Sequence, residues 1–251
     1  MQPKKDNDEI IFGIRAVIEA IRSGKEIEKV LLRKGPGGEL YREVFELIRE
    51  YQVPFQFVPV EKLNRITRKN HQGVVAFMSP VTFYPVENLL PDLFERGENP
   101  LILVLDQVTD VRNFGAIVRT AECAGIHAVL VPEKGAARIN ADAVKTSAGA
   151  LHLVPVCRTK DLYKTILFLQ QSGLKIIAAT EKASENYMKG DYSAPLAIVM
   201  GSEEYGIDQR IIDLADEKVR IPIFGQIQSL NVSVAAGLLV YEAVRQRTTQ
   251  L

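Results

Sequence analysis

The sequence predicts an α/β protein, with a small amino-terminal α/β domain followed by a larger domain built on a parallel sheet. Apolar strand-like runs alternate with amphipathic helical segments along the chain. After Pro100 these runs are continuously apolar, which is typical of strands covered on both faces of a parallel sheet. Hydrophobic residues make up 47% of the 251 residues, which is enough for a sizeable core.

The first domain is expected over residues 1–80. Its predicted elements are a helix within 11–24, a strand at 28–33, a second helix at 39–51, and strands at 54–60 and 73–79. Residues 81–99 are expected to form a linker, because the segment from Ser79 to Pro100 holds four prolines, Pro100 included, which disfavour a continuous helix or a central strand. A short helix near 86–96 is expected within this linker.

The second domain, residues 100–251, is expected to carry the parallel sheet. Its predicted strands lie at 101–106, 127–132, 153–157, 175–180, 196–200 and 219–223. Ligands of open parallel sheets bind beyond the carboxyl ends of the strands, so the loops at that edge are the candidate site.

Composition argues against several classes of protein. Basic and acidic residues both number 31, so the chain is not a generic polycation, and no apolar run approaches the roughly 20 residues of a membrane span. The start MQPKKDNDEI lacks the apolar core of a signal peptide, so we expect a cytoplasmic protein with no membrane partner. Cys123 and Cys157 lack metal-site spacing and the three histidines are scattered, so neither a metal site nor a disulfide is expected.

The first loop of interest follows the strand at 101–106. It contains Asn113, in position to cap the next helix, and Arg119, whose side chain can run past Gly115 toward the loop. An exposed arginine paired with Glu122 is one interpretation of this spacing. The other is a guanidinium directed at a phosphate or a carboxylate, for which its planar fork is suited.

Two further loops carry polar residues at strand ends. In GSEEYGI, Gly201 permits close approach of a flat ligand while Glu203 can accept hydrogen bonds from it; a tight turn with solvated acids is the alternative. In FGQIQSLN, Ser229 and Asn231 precede the almost wholly apolar helix at 232–240, which must be covered by the domain or by a partner. They can cap that helix, contribute to a site, or do both. Taken together, the three loops predict one pocket.

The segments NFGAIVRTAECAG, IVMGSEEYGI and IPIFGQIQSLNVSVAAGLLVYEAVRQR resemble, in this order, the motifs of the SpoU/TrmH group of RNA ribose 2′-O-methyltransferases in the SPOUT superfamily. The region from IFGIRAVIEAI to HQGVVAF resembles the family's amino-terminal substrate-binding domain, so the resemblance covers nearly the whole chain. The layout is most similar to that of the bacterial 23S rRNA guanosine 2′-O-methyltransferases. No GxGxxG turn, P-loop or GxSxG elbow points elsewhere.

The resemblance implies an α/β-knot catalytic domain with a carboxyl-terminal trefoil knot, S-adenosylmethionine as cofactor, and a homodimer. The implied partner is RNA, as 23S rRNA or a precursor ribosomal particle, and the implied reaction is methylation of a guanosine ribose 2′-OH. A tRNA ribose methyltransferase and a non-catalytic RNA-binding assembly factor of the same fold remain alternatives.

The resemblance also assigns residues. The implied catalytic residues are Asn113, Arg119, Glu203, Ser229 and Asn231. The implied cofactor-binding residues are Thr180, Met200, Gly201, Ile221, Ser229 and Leu230. Arg119 is expected to grip the phosphate beside the target ribose and polarise the 2′-OH, with Asn113 orienting it. In the first domain, four basic residues, Lys62, Arg65, Arg68 and Lys69, together with His71 form either a phosphate-binding patch or a solvated helix face.

Overall fold

The computed structural model describes residues 10–35 and 37–248, and the chain divides into a first unit ending at Thr82 and a second beginning at Phe83. The segment 81–99, expected as a linker, is instead largely regular structure of the second unit. It contains a strand and a helix in which Val86, Leu90 and Leu93 are buried. This helix, Val86–Glu95, confirms the short helix expected near 86–96, and burial of its apolar stripe outweighs the cost of the one proline inside it.

The first unit contains a four-stranded mixed sheet. Its strands are β1 (Ile10–Phe12), β2 (Ile27–Arg33), β3 (Phe55–Val58) and β4 (Val74–Met78), in the spatial order β1-β4-β2-β3. Its helices are α1 (Ile14–Arg22), α2 (Glu39–Glu50) and α3 (Val60–Ile66). Only β2 and β3 pair in parallel; the other two pairs are antiparallel. The edge strand β3 is therefore paired on one side only among the described residues.

Helices cover both faces of this sheet. Helices α1 and α2 pack on one face, where Val44 and Ile48 meet the inward side chains of β2. Helix α3 packs on the opposite face, where Leu63 contacts Leu31. The helix predicted within 11–24 begins only at Ile14, because residues 11 and 12 belong to β1 and Gly13, with a φ of +92°, turns the chain between β1 and α1.

The second unit contains an eight-stranded sheet in which every pair is parallel, so the parallel α/β prediction is confirmed. Its strands are β5 (Phe83–Tyr84), β6 (Leu101–Leu105), β7 (Ala128–Pro132), β8 (Val156–Thr159), β9 (Lys175–Ala179), β10 (Glu185–Asn186), β11 (Leu196–Met200) and β12 (Glu217–Arg220). Its helices are α4 (Val86–Glu95), α5 (Val111–Cys123), α6 (Ala141–Thr146), α7 (Leu162–Gln171), α8 (Gln209–Leu214) and α9 (Val232–Thr248).

The order of this sheet creates a place where the direction of winding reverses. The order is β10-β12-β9-β11-β6-β7-β8-β5. From β6 the chain adds β7 and β8 on one side, and then returns to add β9 and β11 on the other. Ligands of such sheets bind at the carboxyl ends of the strands where the order reverses, which here are β6 and β11. Strand β12 ends at Arg220 rather than at the predicted residue 223, and Pro222, which cannot donate to a ladder, lies in the irregular segment that follows.

Helix α9 closes the domain. It is buried through residues such as Ala236 and Leu239, but Val234, Leu238 and Tyr241 are 52%, 37% and 49% exposed. These three residues share one face of the helix, so the chain by itself does not cover α9 on all sides. Within the ranges the structure describes, no helix is both long and apolar enough to cross a membrane.

The carboxyl-terminal end of α9 is hydrogen-bonded to the segments that lead into β6 and β11. Arg247 donates hydrogen bonds to the carbonyl oxygens of Asn99, Pro100, Tyr192 and Ala194, over 2.6 to 3.2 Å. Burial lowers the pKa of Arg247 to about 10, so this guanidinium remains charged at neutral pH and its bonds to the carbonyls are charge-assisted.

Candidate functional site

Three side chains, from the first turn of α5, from the loop after β11 and from the residue before α9, meet beyond the carboxyl ends of β6 and β11. Asn231 Nδ2 donates to Asn113 Oδ1 and to Glu203 Oε1, each over 2.9 Å. Asn113 Nδ2 lies 3.5 Å from the same Glu203 oxygen, at the limit of a hydrogen bond. The structure thus brings together residues that are 118 positions apart in the sequence, as the prediction of one pocket requires.

Asn113 is available for this cluster because another residue caps α5. Asp110 is the N-cap, and its Oδ1 accepts a hydrogen bond of 2.7 Å from the backbone N–H of Asn113. The prediction that Asn113 caps the helix was therefore wrong: the N-cap lies three residues earlier, at Asp110, and the helix begins at Val111. The side-chain amide of Asn113 projects instead toward Glu203 and Asn231.

The start of α9 is held by two of the cluster residues. Asn231 Oδ1 accepts from Ser233 N over 3.0 Å and from Ser233 Oγ over 2.6 Å. Glu203 Oε1 accepts from the backbone N–H of Val232 over 3.0 Å, which places a carboxylate at the positive end of the helix dipole. Asn231 thus combines capping with membership of the cluster, whereas the exposed Ser229 makes no hydrogen bond to the rest of the described chain.

A cleft opens beside this cluster, at the ends of β9, β11 and β12. All six residues predicted to bind a cofactor line it, namely Thr180, Met200, Gly201, Ile221, Ser229 and Leu230. Glu203 lies at its edge, and the first turns of α9 supply Val232, Ala235 and Leu239. Apolar side chains therefore form much of the wall, while three hydroxyl groups and two carboxylates offer specific polar contacts. This composition suits a flat, partly apolar ligand.

Gly201 is required by the protein's own backbone. A Cβ at this position would overlap the backbone of Gly206 and Ile207, because residues 202 and 206 form a bridge that folds the loop back on itself. Gly201 also lines the cofactor cleft, so the expectation that it permits close approach of a flat ligand stays a prediction. The residue allows the loop carrying Glu203 to close against β11.

A second cleft lies on the other side of Glu203. Its described lining includes Gln107, Asp110, Asn113, Glu203 and Tyr205. Glu203 and Asn113 are therefore accessible from this side as well, so the cluster stands between two clefts. Gln107 adopts a φ of +57°, a conformation rare for residues other than glycine and frequent at functional sites.

A buried carboxylate ties the two strand-end loops together. Asp106, at the end of β6, is 6% exposed and accepts a hydrogen bond of 2.8 Å from the backbone N–H of Asp208. Burial raises the pKa of Asp106, and the hydrogen bond from Asp208 only partly offsets that effect. The carboxylate therefore fixes the end of the loop that carries Glu203 to the strand that precedes Asn113.

Arg119 lies apart from the cluster. It is exposed on α5, and in residues 10–35 and 37–248 it forms neither a hydrogen bond nor an ion pair, the pairing with Glu122 included. Asn113 bonds to Glu203 and Asn231, so the expectation that it orients Arg119 stays a prediction. The guanidinium is left available for an external anion.

The four basic residues predicted for the first unit are all exposed. Lys62 and Arg65 lie on α3, and Arg68 and Lys69 follow it. His71 is buried instead and orders this segment: its Nδ1 accepts from Gly73 N over 3.0 Å, so its Nε2 donates to Asn64 Oδ1 over 2.8 Å.

Sequence reasoning missed polar residues in the cofactor cleft. Glu181 and Gln228 line it but were not selected. Each adjoins a residue that was selected, Thr180 and Ser229 respectively, so extending each strand-end loop by one residue finds both. The close approach of Gly201 to Gly206 could not be predicted from the sequence, because it depends on how the loop between them folds back.

Comparison with known families places both units. A model described as the SpoU rRNA Methylase family matches residues 100–241. A second model, described as RNA 2′-O ribose methyltransferase substrate binding, matches residues 10–84. The two matches correspond closely to the two units of the structure.

Individual proteins match over nearly the full chain. A 23S rRNA (guanosine-2′-O-)-methyltransferase of Photorhabdus laumondii is 36% identical over 243 residues, covering 96% of this chain and 99% of that protein. A Bacillus subtilis protein named as a TrmH family tRNA/rRNA methyltransferase is 32% identical over 237 residues, covering 94% and 95%. The AdoMet-bound crystal structure of an rRNA methyltransferase from Sinorhizobium meliloti superimposes with a TM-score of 0.61 at 25% identity, covering 94% and 87%.

Proposed function

Because this chain belongs to the SpoU rRNA methylase family and is an S-adenosylmethionine-dependent RNA ribose 2′-O-methyltransferase, we propose that it methylates a guanosine of 23S rRNA. The observation that carries this proposal is the contact of Asn113, Glu203 and Asn231 at the mouth of the cofactor cleft. The named activity of the Photorhabdus relative supports the choice of base and of RNA.

The cofactor cleft has the lining that an adenosyl group needs. Met200, Ile221 and Leu230 provide apolar contact for a flat ring, while the hydroxyl groups of Thr180 and Ser229 can bond to polar edges. When bound, S-adenosylmethionine supplies an electrophilic methyl group on its sulfonium. The residues of the cleft hold it in place, and near-attack positioning of two reactants can account for roughly 7 to 11 kcal/mol of a barrier.

The hydrogen-bond cluster is proposed to fix the geometry of the acceptor side. Glu203 accepts from both Asn231 and the start of α9, so its carboxylate is held in one orientation rather than left to rotate. Asn113 is anchored to the same pair and faces the second cleft. These three residues then present oriented polar groups to a ribose, while Ser229 arranges the loop before α9.

Arg119 is proposed to bind the phosphate next to the target ribose and to polarise the 2′-OH. Its exposed guanidinium makes no bond within the described chain that would compete with a phosphate. The hydroxyl proton passes to a phosphate oxygen or to a transiently neutral arginine.

Arg119→Lys should lower kcat by ten-fold or more, because lysine cannot form the two-pronged contact. Arg112→Lys, on the same helix and also exposed, is the matched control; near-native transfer by the Arg119 variant with unchanged RNA affinity would rule out the fork role.

The assembly proposed for this enzyme is a homodimer. The exposed apolar face of α9, formed by Val234, Leu238 and Tyr241, supports a subunit contact there. We also propose, from the family, that the segment before α9 takes part in a trefoil knot and that the enzyme acts in the cytoplasm on rRNA or a precursor ribosomal particle. Sedimentation at increasing concentration, with Leu238→Glu as the disrupting variant, tests the dimer.

Two other functions are separated from this one by a single experiment. The name of the Bacillus relative allows a tRNA as well as an rRNA target, and a non-catalytic assembly factor is disfavoured by the intact Arg119, Glu203 and Asn231. Protein is incubated with methyl-labelled S-adenosylmethionine and separate rRNA and tRNA pools, and 2′-O-methyl positions are mapped. We expect label at a guanosine of 23S rRNA. Label in tRNA alone would refute the rRNA target, and label in neither pool would refute the catalytic assignment.

A further inference from the structure

The first unit carries an aromatic cluster that the methyl-transfer site does not use. Phe45 of α2 and Phe55 and Phe57 of β3 contact one another, with ring centroids 5.4 to 5.7 Å apart. The edge-on geometry of two of these pairs is favourable for aromatic rings. We call these three residues the aromatic patch.

The patch is more exposed than packing alone would require. Phe55 and Phe57 are each 41% exposed, while their neighbours in β2, Val30 and Leu32, are fully buried. Because β3 is an edge strand, two large apolar rings there are an aggregation liability unless something covers them. The exposure of Phe55 and Phe57 therefore indicates that a ligand or partner covers these rings.

Positive charge surrounds the patch. The Arg49 guanidinium lies over the Phe45 ring, 6.0 Å from its centroid. An adjoining cleft contains Phe45 and Phe57 together with Lys34 and Arg42, and its described lining includes no carboxylate. Flat rings bordered by cations complement an unstacked nucleobase and its phosphate, and they do not complement a purely apolar partner.

We propose that the aromatic patch is a stacking platform for unpaired bases of the substrate RNA. Sequence-specific recognition of RNA commonly uses splayed bases stacked on aromatic rings, with cations holding the backbone. The patch lies on the sheet face covered by α1 and α2, whereas Lys62 and Arg65 belong to α3 on the opposite face. The first unit thus offers stacking on one face and phosphate contacts on the other. This inference rests on the RNA substrate of the proposed function.

The chain contains no tryptophan, so Phe57→Trp introduces a single fluorescent reporter that keeps a stacking surface. Titration with a twelve-nucleotide oligoadenylate should quench this reporter, and a blunt duplex of equal length should not. The Phe55→Leu/Phe57→Leu variant keeps apolar bulk but loses the rings, and its oligoadenylate Kd should rise about ten-fold. Phe94→Trp and Phe94→Leu are matched controls, since Phe94 is 40% exposed in the second unit, and they should show neither effect.

An unquenched reporter in the Phe57→Trp variant, or a leucine variant that binds within two-fold of the native protein, would overturn the stacking role. So would a leucine variant that changes self-association in sedimentation but not RNA affinity, since the patch would then be a protein contact. The Phe57→Tyr variant retains a ring, so its oligoadenylate affinity should match that of the native protein if stacking is the cause. This comparison keeps the test informative if the double leucine variant is unstable. Methyl transfer to rRNA by the native protein is measured in parallel. Transfer without quenching defeats this inference alone, whereas quenching without transfer defeats the proposed function and leaves the platform standing.

Discussion

Asn231 donates a hydrogen bond of 2.9 Å to Glu203 Oε1, and this bond joins the loop after β11 to the start of the last helix. The same carboxylate oxygen accepts from the backbone N–H of Val232, so one atom holds both the side chain and the helix end. This hydrogen bond requires an amide donor on residue 231 and a carboxylate acceptor on Glu203. A second carboxylate in the place of Asn231 would repel Glu203 and remove the donor.

Asn231→Asp should therefore lower kcat/KM more than ten-fold and weaken the start of α9, at a cost of about 1–2 kcal/mol in unfolding free energy. Lowering the pH should restore part of the activity, because protonation of the introduced carboxyl group removes the repulsion and restores a donor. Combining it with Glu203→Gln exchanges amide and carboxylate and should recover at least half of the lost stability. Urea unfolding of the native, single and double variants gives the coupling energy; additive losses would show that the two side chains do not interact.

Gly201→Ala should destabilise the protein by about 1–3 kcal/mol, because the added methyl group overlaps the backbone of Gly206. The distortion should also weaken cofactor binding, since this loop forms part of the cleft. Gly225→Ala is the control, as its Cβ would meet nothing within 4 Å and its change should stay within about 0.5 kcal/mol. Thermal unfolding and calorimetric titration with S-adenosylmethionine measure both effects. Equal behaviour of the two variants would argue against the close approach.

In a parallel sheet the carboxyl ends of the strands meet at one edge, so the loops that carry Gly201 and Ser229 could be grouped before their contacts were known. Thr180 was assigned instead from the resemblance to the family motifs, and it lines the same cleft. The N-cap of α5 could not be assigned by type alone, since Asp110 and Asn113 are both good capping residues. Only the register of the helix decides between them.

Other features depend on tertiary contacts that no local pattern carries. The prolines of 81–99 indicated a linker, but strand pairing of Phe83 with Val156 and burial of Leu90 fix this segment to the second unit. The contact of Gly201 with Gly206 arises from the folding of a loop on itself. The aromatic patch joins α2 to an edge strand and is visible only when the two are side by side.

Replacing Arg65 and Arg68 with glutamine should flatten the salt dependence of RNA binding. Each lost phosphate contact reduces the slope of log affinity against log salt by roughly 0.7 to 0.9, so the double variant should lose about 1.5. Lys25→Gln, at another exposed basic position of the same unit, is the control and should leave the slope unchanged. Filter binding of an rRNA fragment between about 50 and 200 mM salt measures this slope. An unaltered slope would mean that Arg65 and Arg68 lie on a solvated helix face and do not contact phosphates.

Glu242 should make the stability of the protein depend on pH in the acid range. It is 7% exposed, and Arg245 Nε and Nη2 donate to its two oxygens over 2.9 and 2.7 Å. Hydrogen bonding to Arg245, offset in part by burial, lowers the pKa of Glu242 below its usual 4.5. The contribution is therefore complete above pH 4.5 and disappears as the pH falls through the lowered value.

Glu242→Gln should accordingly cost about 1 kcal/mol at pH 7, a modest amount because Arg245 remains largely exposed. The difference from the native protein should shrink as the pH is lowered from about 5 to 2. Urea unfolding at each pH gives this difference directly. A difference that stays constant over the range would show that the ionised carboxylate contributes nothing.

The chemistry itself is tested most directly with two synthetic RNAs that differ by one oxygen. Once the modified guanosine is mapped, a fragment containing it is compared with the same fragment carrying 2′-deoxyguanosine at that position, using methyl-labelled S-adenosylmethionine. The account predicts transfer to the ribose fragment, with mass spectrometry locating the methyl group on its 2′-oxygen, and no transfer to the deoxy fragment despite comparable binding. Methylation of the deoxy fragment at the same rate would place the reaction on the base and contradict the account.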